Sequence, residues 1–370
     1  MTHKVVHLST VHTTFDIRIF HKECCSLANA GYETVFVTPH PADETVHNVR
    51  IRAVPSPKNR LQRMFITTFL VFRAALRESA ALYQFHDPEL LPIGILLSLM
   101  GRKVIYDVHE DVPNQILDKS WLHPWLRRPA AWLAHLFEWV GQSFFDAIVA
   151  ATPAIATRFI GGKTTLVQNF PLRGELETPD SPPQSSRNRQ VVFAGGITDI
   201  RGGREMVAAM EKVPDSYNAV LKLAGLIYPQ SLEASMRTQP GWSKVEFLGW
   251  QSRTQLAGLL ASSRAGLVLF HPARNHLNAQ PNKLFEYMSA GLPLIASDFP
   301  LWREIVGKVD AGLLVDPLDP DGIAEAICWI FEHPDEADAM GHRGRQAVAE
   351  MYNWDSEFKK LHGLYQRLLL

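Results

Sequence analysis

The feature that most constrains this chain is a rhythm: short β-branched runs alternate with longer amphipathic stretches, twice over, on either side of a polar break. The first series reads Lys4–Leu8, a helix near Arg18–Ala30, Glu33–Thr38, Val49–Ala53, a helix near Arg60–Ser79 and Ala81–Phe85. It continues with a helix at Leu91–Leu99, Lys103–Val108, a long helical region to about Phe144, and Ala147–Ala150. Such alternation predicts a parallel sheet covered by helices on both faces. Between Pro171 and Gln190 the text turns polar, PLRGELETPDSPPQSSRNRQ, with no apolar period, as a linker or hinge does. The rhythm then restarts with Val191–Ala194, a helix over Arg204–Lys212, Ala219–Ala224, a helix near Tyr228–Thr238, Val245–Leu248, a helix near Ser252–Ser262 and Gly266–Phe270. After these come a helix within PNKLFEYMSAG (281–291), the strand Leu294–Ala296 and a closing pair of helices to Leu370. The expected fold is α/β, two Rossmann-like doubly wound domains (1–172 and 191–352, joined by 173–190) facing each other across a cleft.

Composition removes several classes. A chain of 370 residues exceeds one ordinary core, and 46% hydrophobic with 20% charged residues describes a globular protein. The formal net charge of −1 offers nucleic acid no overall attraction. Cys24, Cys25 and Cys328 fit neither a disulfide framework nor a zinc spacing, which points to a reducing cytoplasm. The start MTHKVVHLS enters a strand with no signal-peptide core, and the apolar run Met64–Phe72 is far too short to span a bilayer.

In open parallel sheets ligands bind beyond the carboxyl ends of the strands. There the first series places His12 and Asp16, then His86 and Asp87, then His109 and Glu110. A lone histidine after a strand is usually a hydrogen-bonded structural residue, and a His-Asp pair often only caps a helix. Three such loops in succession are harder to dismiss. In the second series Gly195 and Gly196, then Arg201, Gly202 and Gly203, either permit turns or make a phosphate site of backbone N–H groups and a guanidinium. In 281–291, Asn282, Lys283 and Glu286 form one patch around a first helical turn, with Pro281 at the first helical position and Gly291 at the exit.

Two other motifs fail. Gly161-Gly-Lys-Thr164 ends like a P-loop but has Thr157 where its first glycine belongs. The acids and histidines of 86–111 show no metal-ligand spacing, so no metal is expected.

Together Asp16-Ile-Arg-Ile-Phe20, Tyr106-Asp-Val-His-Glu110, the Gly195–Gly203 loop and NKLFEYMSAGLPLIASD resemble, in order and over essentially the whole chain, the GT-B retaining glycosyltransferases of family 4, of the bacterial surface-polysaccharide type. The resemblance implies a UDP-sugar or GDP-sugar donor held by the second domain, with Glu286 on the ribose and Gly195, Gly196 and Arg201 on the diphosphate. Asn282 and Leu284 share that helix as donor-binding candidates. It places His109 beside the transferred sugar, leaves His12, His86, Asp87 and Glu110 for the acceptor, and brings the final helix, 353–370, back onto the first domain.

The chain also departs from the family. Its motif has two glutamates eight positions apart, and 286 − 8 = 278 is Asn278. An amide therefore takes over hydrogen bonds to the donor sugar, or the sugar differs. Gly196 stands where an arginine is common, and Lys283 is the candidate replacement for that charge. The expected reaction leaves a nucleoside diphosphate stabilised by Arg201, Lys283 and a helix N-terminus, without a metal. No carboxylate pair is evident at the sugar, which favours same-face attack over a covalent glycosyl-enzyme. His109 and Asp16 are the candidates to orient or deprotonate the acceptor hydroxyl. The alternatives are a nucleotide-sugar epimerase or hydrolase of the same fold, and a non-catalytic partner subunit.

From Thr45 through Arg77 there is no acid, while Arg50, Arg52, Lys58, Arg60, Arg63, Arg73 and Arg77 are basic. Leu61, Met64, Phe65, Phe69, Leu70 and Phe72 lie between them, as in an interfacial helix. SWLHPWLRRP (120–129), followed by Trp132, Phe137 and Trp139, is a second candidate for an anionic membrane surface, on which a lipid-linked or oligosaccharide acceptor would be reached. The bland reading is that these helices only cover the sheet.

Overall fold

A computed structural model describes residues 3–118, 122–178 and 181–370. The chain forms two compact units, the first of Met1–Asn169 with Trp354–Leu370 and the second of Phe170–Asn353.

The first unit is built on eight strands: β1 (Lys4–Leu8), β2 (Glu33–Pro39), β3 (Glu44–Val46), β4 (Val49–Val54), β5 (Leu82–Phe85), β6 (Lys103–Val108), β7 (Ala147–Ala150) and β8 (Thr164–Leu166). Their order is β3-β4-β2-β1-β5-β6-β7-β8, parallel except for the β3–β4 pair. β1 therefore has β2 on one side and β5 on the other, the switch point at which the loops leaving β1 and β5 diverge. Strand residues such as Val5, Val6, Val35 and Ile105 are fully buried, as a sheet covered on both faces requires. The short strands β3 and β8 lie at the two sheet edges; neither has a long β-branched run to announce it.

The second unit has β9 (Gln190–Ala194), β10 (Val220–Ala224), β11 (Val245–Gly249), β12 (Ala265–Val268), β13 (Leu294–Ser297) and β14 (Gly312–Val315), ordered β11-β10-β9-β12-β13-β14 and all parallel. Its switch point lies between β9 and β12. The expected closing pair of helices is three, Pro320–Glu332, Pro334–Glu350 and Trp354–Leu369, preceded by β14. Pro320 and Pro334 each open a new helix, which divides what reads as one amphipathic run. The polar stretch after Pro171 is not a free tether. Leu176 and Gln184 are buried, and Arg187 donates to Ser263 O inside the second unit.

One helix in each unit matters most for position. Asn282–Ser289 lies against the second sheet because Gly266 has no side chain: a Cβ there would stand 2.2 Å from the Tyr287 ring. The Tyr287 hydroxyl then accepts from Ala194 N at 2.8 Å, tying the helix to the end of β9. Pro281 is the extended residue before the helix rather than its first residue, and Gly291 takes the left-handed exit at φ +65. In the first unit Trp354–Leu369 is anchored by Trp354 Nε1 to Ser26 Oγ and by Glu357 accepting from Gln168 N.

Candidate functional site

In the first unit the polar residues converge at the carboxyl ends of β1, β5 and β6. Asp87 is buried and its Oδ2 accepts from Ser9 Oγ (2.9 Å), Thr10 N (2.6 Å) and Val11 N (3.2 Å), closing the loop after β1 onto the loop after β5. His86 is equally buried. Both candidates for the acceptor are thus buried behind the residues that line the edge, where they hold the two loops together. His12 is at that edge, with Nδ1 3.7 Å from Asp16 and Nε2 3.4 Å from Asp87. Burial works against its positive charge, but the hydrogen bond to Asp16 and the charges of Asp87, Asp16 and Glu110 raise its pKa overall. Asp16 spends Oδ1 on capping the helix Ile17–Cys24, accepting from Arg18 N and Ile19 N, and keeps Oδ2 for His12. Glu110 is exposed.

His109, partly exposed, is held by Asp107. Its Nε2 lies 2.7 Å from Asp107 Oδ2 and 3.2 Å from His86 Nδ1, and its ring is 5.2 Å from that of His12. Asp107 is buried between His109, His86 (3.0 Å) and the Arg18 guanidinium, whose Nη2 donates at 2.8 Å. Burial alone would raise this carboxyl, but Arg18, His109 and His86 hold it well below the ordinary carboxylate range. Glu23, 3.1 Å from Arg18, is instead raised, first by burial and next by Asp107. His86, Asp107 and His109 thus form a compact group of metal-ligating types, as do His7, Glu23 and His86. Arg18 touches both carboxylates, so a cation already fills the electrostatic role an ion would take. Asp107, Arg18, Glu23, His7 and Gln84 were assigned no role from the sequence. For His7, Gln84 and Asp107 the available signal is a polar residue inside an apolar strand, which is costly unless partnered; Arg18 and Glu23 lie on the helix Ile17–Cys24, where no such signal exists.

In the second unit the glycine loop follows β9. Gly195, at φ +118, lies so close to Lys283 that a Cβ would stand 2.6 Å from its Nζ. Gly225, at φ +146 after β10, abuts Gly195 O, and Gly202 abuts Leu269 O. Lys283 Nζ is 5.2 Å from the centre of the Phe193 ring and 6.0 Å from that of Phe270, over which Arg201 also lies at 5.6 Å. Arg201 donates to Gly196 O. Burial, then the charge of Arg201, pushes the Lys283 ammonium down to about 8. Glu286 sits one turn on, accepting from Arg253 Nη1 at 2.9 Å, while Arg253 Nε reaches Glu175 at 2.8 Å. Arg253 was not singled out in the sequence; it lies in the helix Arg253–Ser262, remote from every motif quoted above. Asn282 is half-buried and Asn278 exposed. Leu284, the other donor-binding candidate on this helix, has its side chain wholly in the core and its N–H given to Pro281 O. Lys163, in the motif that ends like a P-loop, donates to the carbonyls of Gln142, Ser143 and Phe145.

Residues 18–163 match the glycosyl transferase 4-like domain and residues 188–333 the glycosyl transferases group 1 family. The chain belongs to the GT-B glycosyltransferases of the family 4 type. It is 22% identical over 298 residues, 77% of this chain and 70% of the relative, to an MMP alpha-(1->4)-mannosyltransferase of Mycolicibacterium hassiacum. Among solved structures it is similar to a sucrose-phosphate synthase from Thermosynechococcus elongatus, with TM-score 0.80 and 19% identity over 99% of both chains. It is also similar to an Anabaena protein solved with UDP and glucose, with TM-score 0.74 and 14% identity over 99% of this chain and 100% of that one.

Proposed function

We propose that the chain is a retaining glycosyltransferase that moves a sugar from a UDP-sugar or GDP-sugar to a hydroxyl of a glycan or lipid-linked acceptor in cell-surface polysaccharide synthesis. The observation that carries this is the meeting of Lys283 and Arg201 over Phe270 beside Gly195, two cations and a bare backbone at the switch point of a parallel sheet. A diphosphate suits that site, and the similar Anabaena protein was solved with UDP.

In the reaction the bond from the anomeric carbon to the diphosphate oxygen breaks and a bond to the acceptor oxygen forms on the same face. Negative charge grows on the departing diphosphate, where Lys283, Arg201 and the glycine-loop N–H groups offset it without a metal. Glu286, once released from Arg253, takes the ribose hydroxyls, and Asn278 and Asn282 offer amides to the sugar. In the first unit His109 orients the acceptor hydroxyl and receives its proton, while His12, held by Asp16, supplies a neighbouring positive charge.

The acceptor reading draws on surface chemistry. In the continuous helical run from Arg60 to Glu78, Leu61, Met64, Phe65, Ile66 and Phe69 are exposed, and Trp125, Trp132, Phe137 and Trp139 are exposed on Pro124–Gly141. Such faces suit a membrane interface, on which a lipid-linked acceptor would be met. No helix among the described residues is long and apolar enough to cross a membrane.

The test is release of UDP or GDP from nucleotide-sugars, with the anomeric configuration of the product read by NMR. Release that requires an acceptor, retains configuration and is lost in Arg201→Ala and Glu286→Ala is expected. Equal release without an acceptor would make the protein a hydrolase or epimerase.

A further inference from the structure

The first unit buries a chain of hydrogen-bonding groups that the proposed reaction does not use. Tyr365, in the final helix, is fully buried; its oxygen lies 2.7 Å from Gln84 Oε1 and 3.1 Å from His7 Nε2. His7 Nδ1 is 3.0 Å from His86 Nε2, and His86 Nδ1 faces both Asp107 Oδ2 and His109 Nε2. The rings of His7 and His86 are stacked, and His7 is inaccessible to solvent.

The proton positions along this chain follow from donor and acceptor capacity. The Gln84 amide is oriented by carboxylates, since its Nε2 faces Glu23 at 2.6 Å and Asp107 at 3.5 Å, which leaves Oε1 toward Tyr365. Tyr365 has one proton and gives it to Gln84, so its oxygen accepts from His7 Nε2–H. A neutral His7 then has a bare Nδ1, which accepts from His86 Nε2–H. A neutral His86 in turn has a bare Nδ1 beside the Asp107 carboxylate. Two acceptors facing each other need a shared donor, and the atom placed for it is His109 Nε2, within 2.7 Å of one and 3.2 Å of the other. Burial keeps both inner histidines neutral: it lowers His7 well below its ordinary value and His86 to about 4.

We infer that Tyr365, His7 and His86 are positioning residues that hold His109 with its proton on Nε2, leaving Nδ1 as the ring nitrogen able to receive an acceptor proton. The final helix, remote in sequence from every catalytic motif, thereby joins the machinery of the first unit. The inference rests on the proposed glycosyltransferase reading for its purpose, but its geometry stands apart from that reading and is tested apart from it.

The experiment is two-bond 1H–15N correlation NMR of the full-length, 15N-histidine-labelled protein near neutral pH, assigned by single His→Gln variants, alongside Tyr365→Phe. In the wild type, His7, His86 and His109 all carry the pattern of an Nε2-protonated neutral ring. Tyr365→Phe deletes only the oxygen that accepts from His7, which frees His7 and His86 to reverse to Nδ1-protonated rings, the latter donating to Asp107. The same variant folds with a lower thermal midpoint, because the buried Gln84 Oε1 loses its donor, and keeps its KM for the donor while kcat falls about tenfold, the cost of a misplaced reacting group. Nδ1-protonated His7 or His86 in the wild type, or tautomers that Tyr365→Phe leaves unchanged, would overturn the inference even if transfer activity is found. Absence of any transfer with the tautomers as described would overturn only the functional reading.

Discussion

Lys283 shows what a single residue's surroundings add to its identity. Its place at a helix start beside a glycine loop is readable from the sequence; its depressed pKa is not, because Phe193, Phe270 and Arg201 come from elsewhere in the chain. An ammonium that titrates at about 8 binds a nucleoside diphosphate only when protonated. Affinity for UDP or GDP is therefore expected to be flat below that pH and to weaken about tenfold per pH unit above it. Calorimetric titrations from about pH 7 to about pH 9.5 measure this, and Lys283→Arg, which stays charged, flattens the profile. A wild-type affinity that is constant across the range would remove Lys283 from the anion site. In the ligand-free protein the same shift has the opposite sense: between about 8 and the ordinary 10.5 the folded chain holds fewer protons than the unfolded one, so this group's contribution to stability rises with pH.

At the scale of elements, backbone contact at the end of β9 separates the glycines by role. A Cβ on Gly225 would meet Gly195 O at 2.0 Å, at a φ of +146, whereas one on Gly196 would meet only the movable end of Arg201, at 3.1 Å. Gly225→Ala is expected to cost about 1–3 kcal/mol and to abolish donor binding, because Gly195 must move. Gly196→Ala leaves the thermal midpoint nearly unchanged. Thermal denaturation with and without UDP distinguishes the two, and an unaltered midpoint in Gly225→Ala would contradict the packing described. Helix phase is harder to read than helix existence. The run 60–78 is wound as a π-helix over Arg63–Thr67, and the extra residue per turn rotates the faces of the helical turns beyond it. Leu70 and Phe72, expected on the interfacial face, pack against the core, while Ile66 emerges beside Phe65.

At the scale of the whole molecule, ion pairing neutralises part of the basic surface. The acid-free block from Thr45 to Arg77 is not a free positive surface: Arg50 and Arg52 pair with Glu78, and Arg63 with Glu89, acids that lie just outside the block. Lys58, Arg73 and Arg77 remain exposed, Arg73 over the Phe69 ring. Of the second candidate, Ser120 and Trp121 lie outside the described residues. Docking is therefore expected to depend more on apolar insertion than on charge. Phe65→Ser with Phe69→Ser should reduce co-sedimentation with anionic vesicles at least as much as Arg73→Ala with Arg77→Ala, and failure of the wild type to sediment at low salt would end the proposal. The sequence by itself determined the two α/β units, the positions of most strands and the loops where polar residues gather, because strand and helix periods, turn residues and motif spacing are local properties. Only the tertiary structure decided the order of the strands and which of those polar residues are exposed and which are buried among partners. Asp87 and His86 turned inward, Arg18 and Asp107 came together across the sheet, and Tyr365 arrived from the far end of the chain. Burial and partnership depend on residues far apart in sequence, and no local pattern carries them.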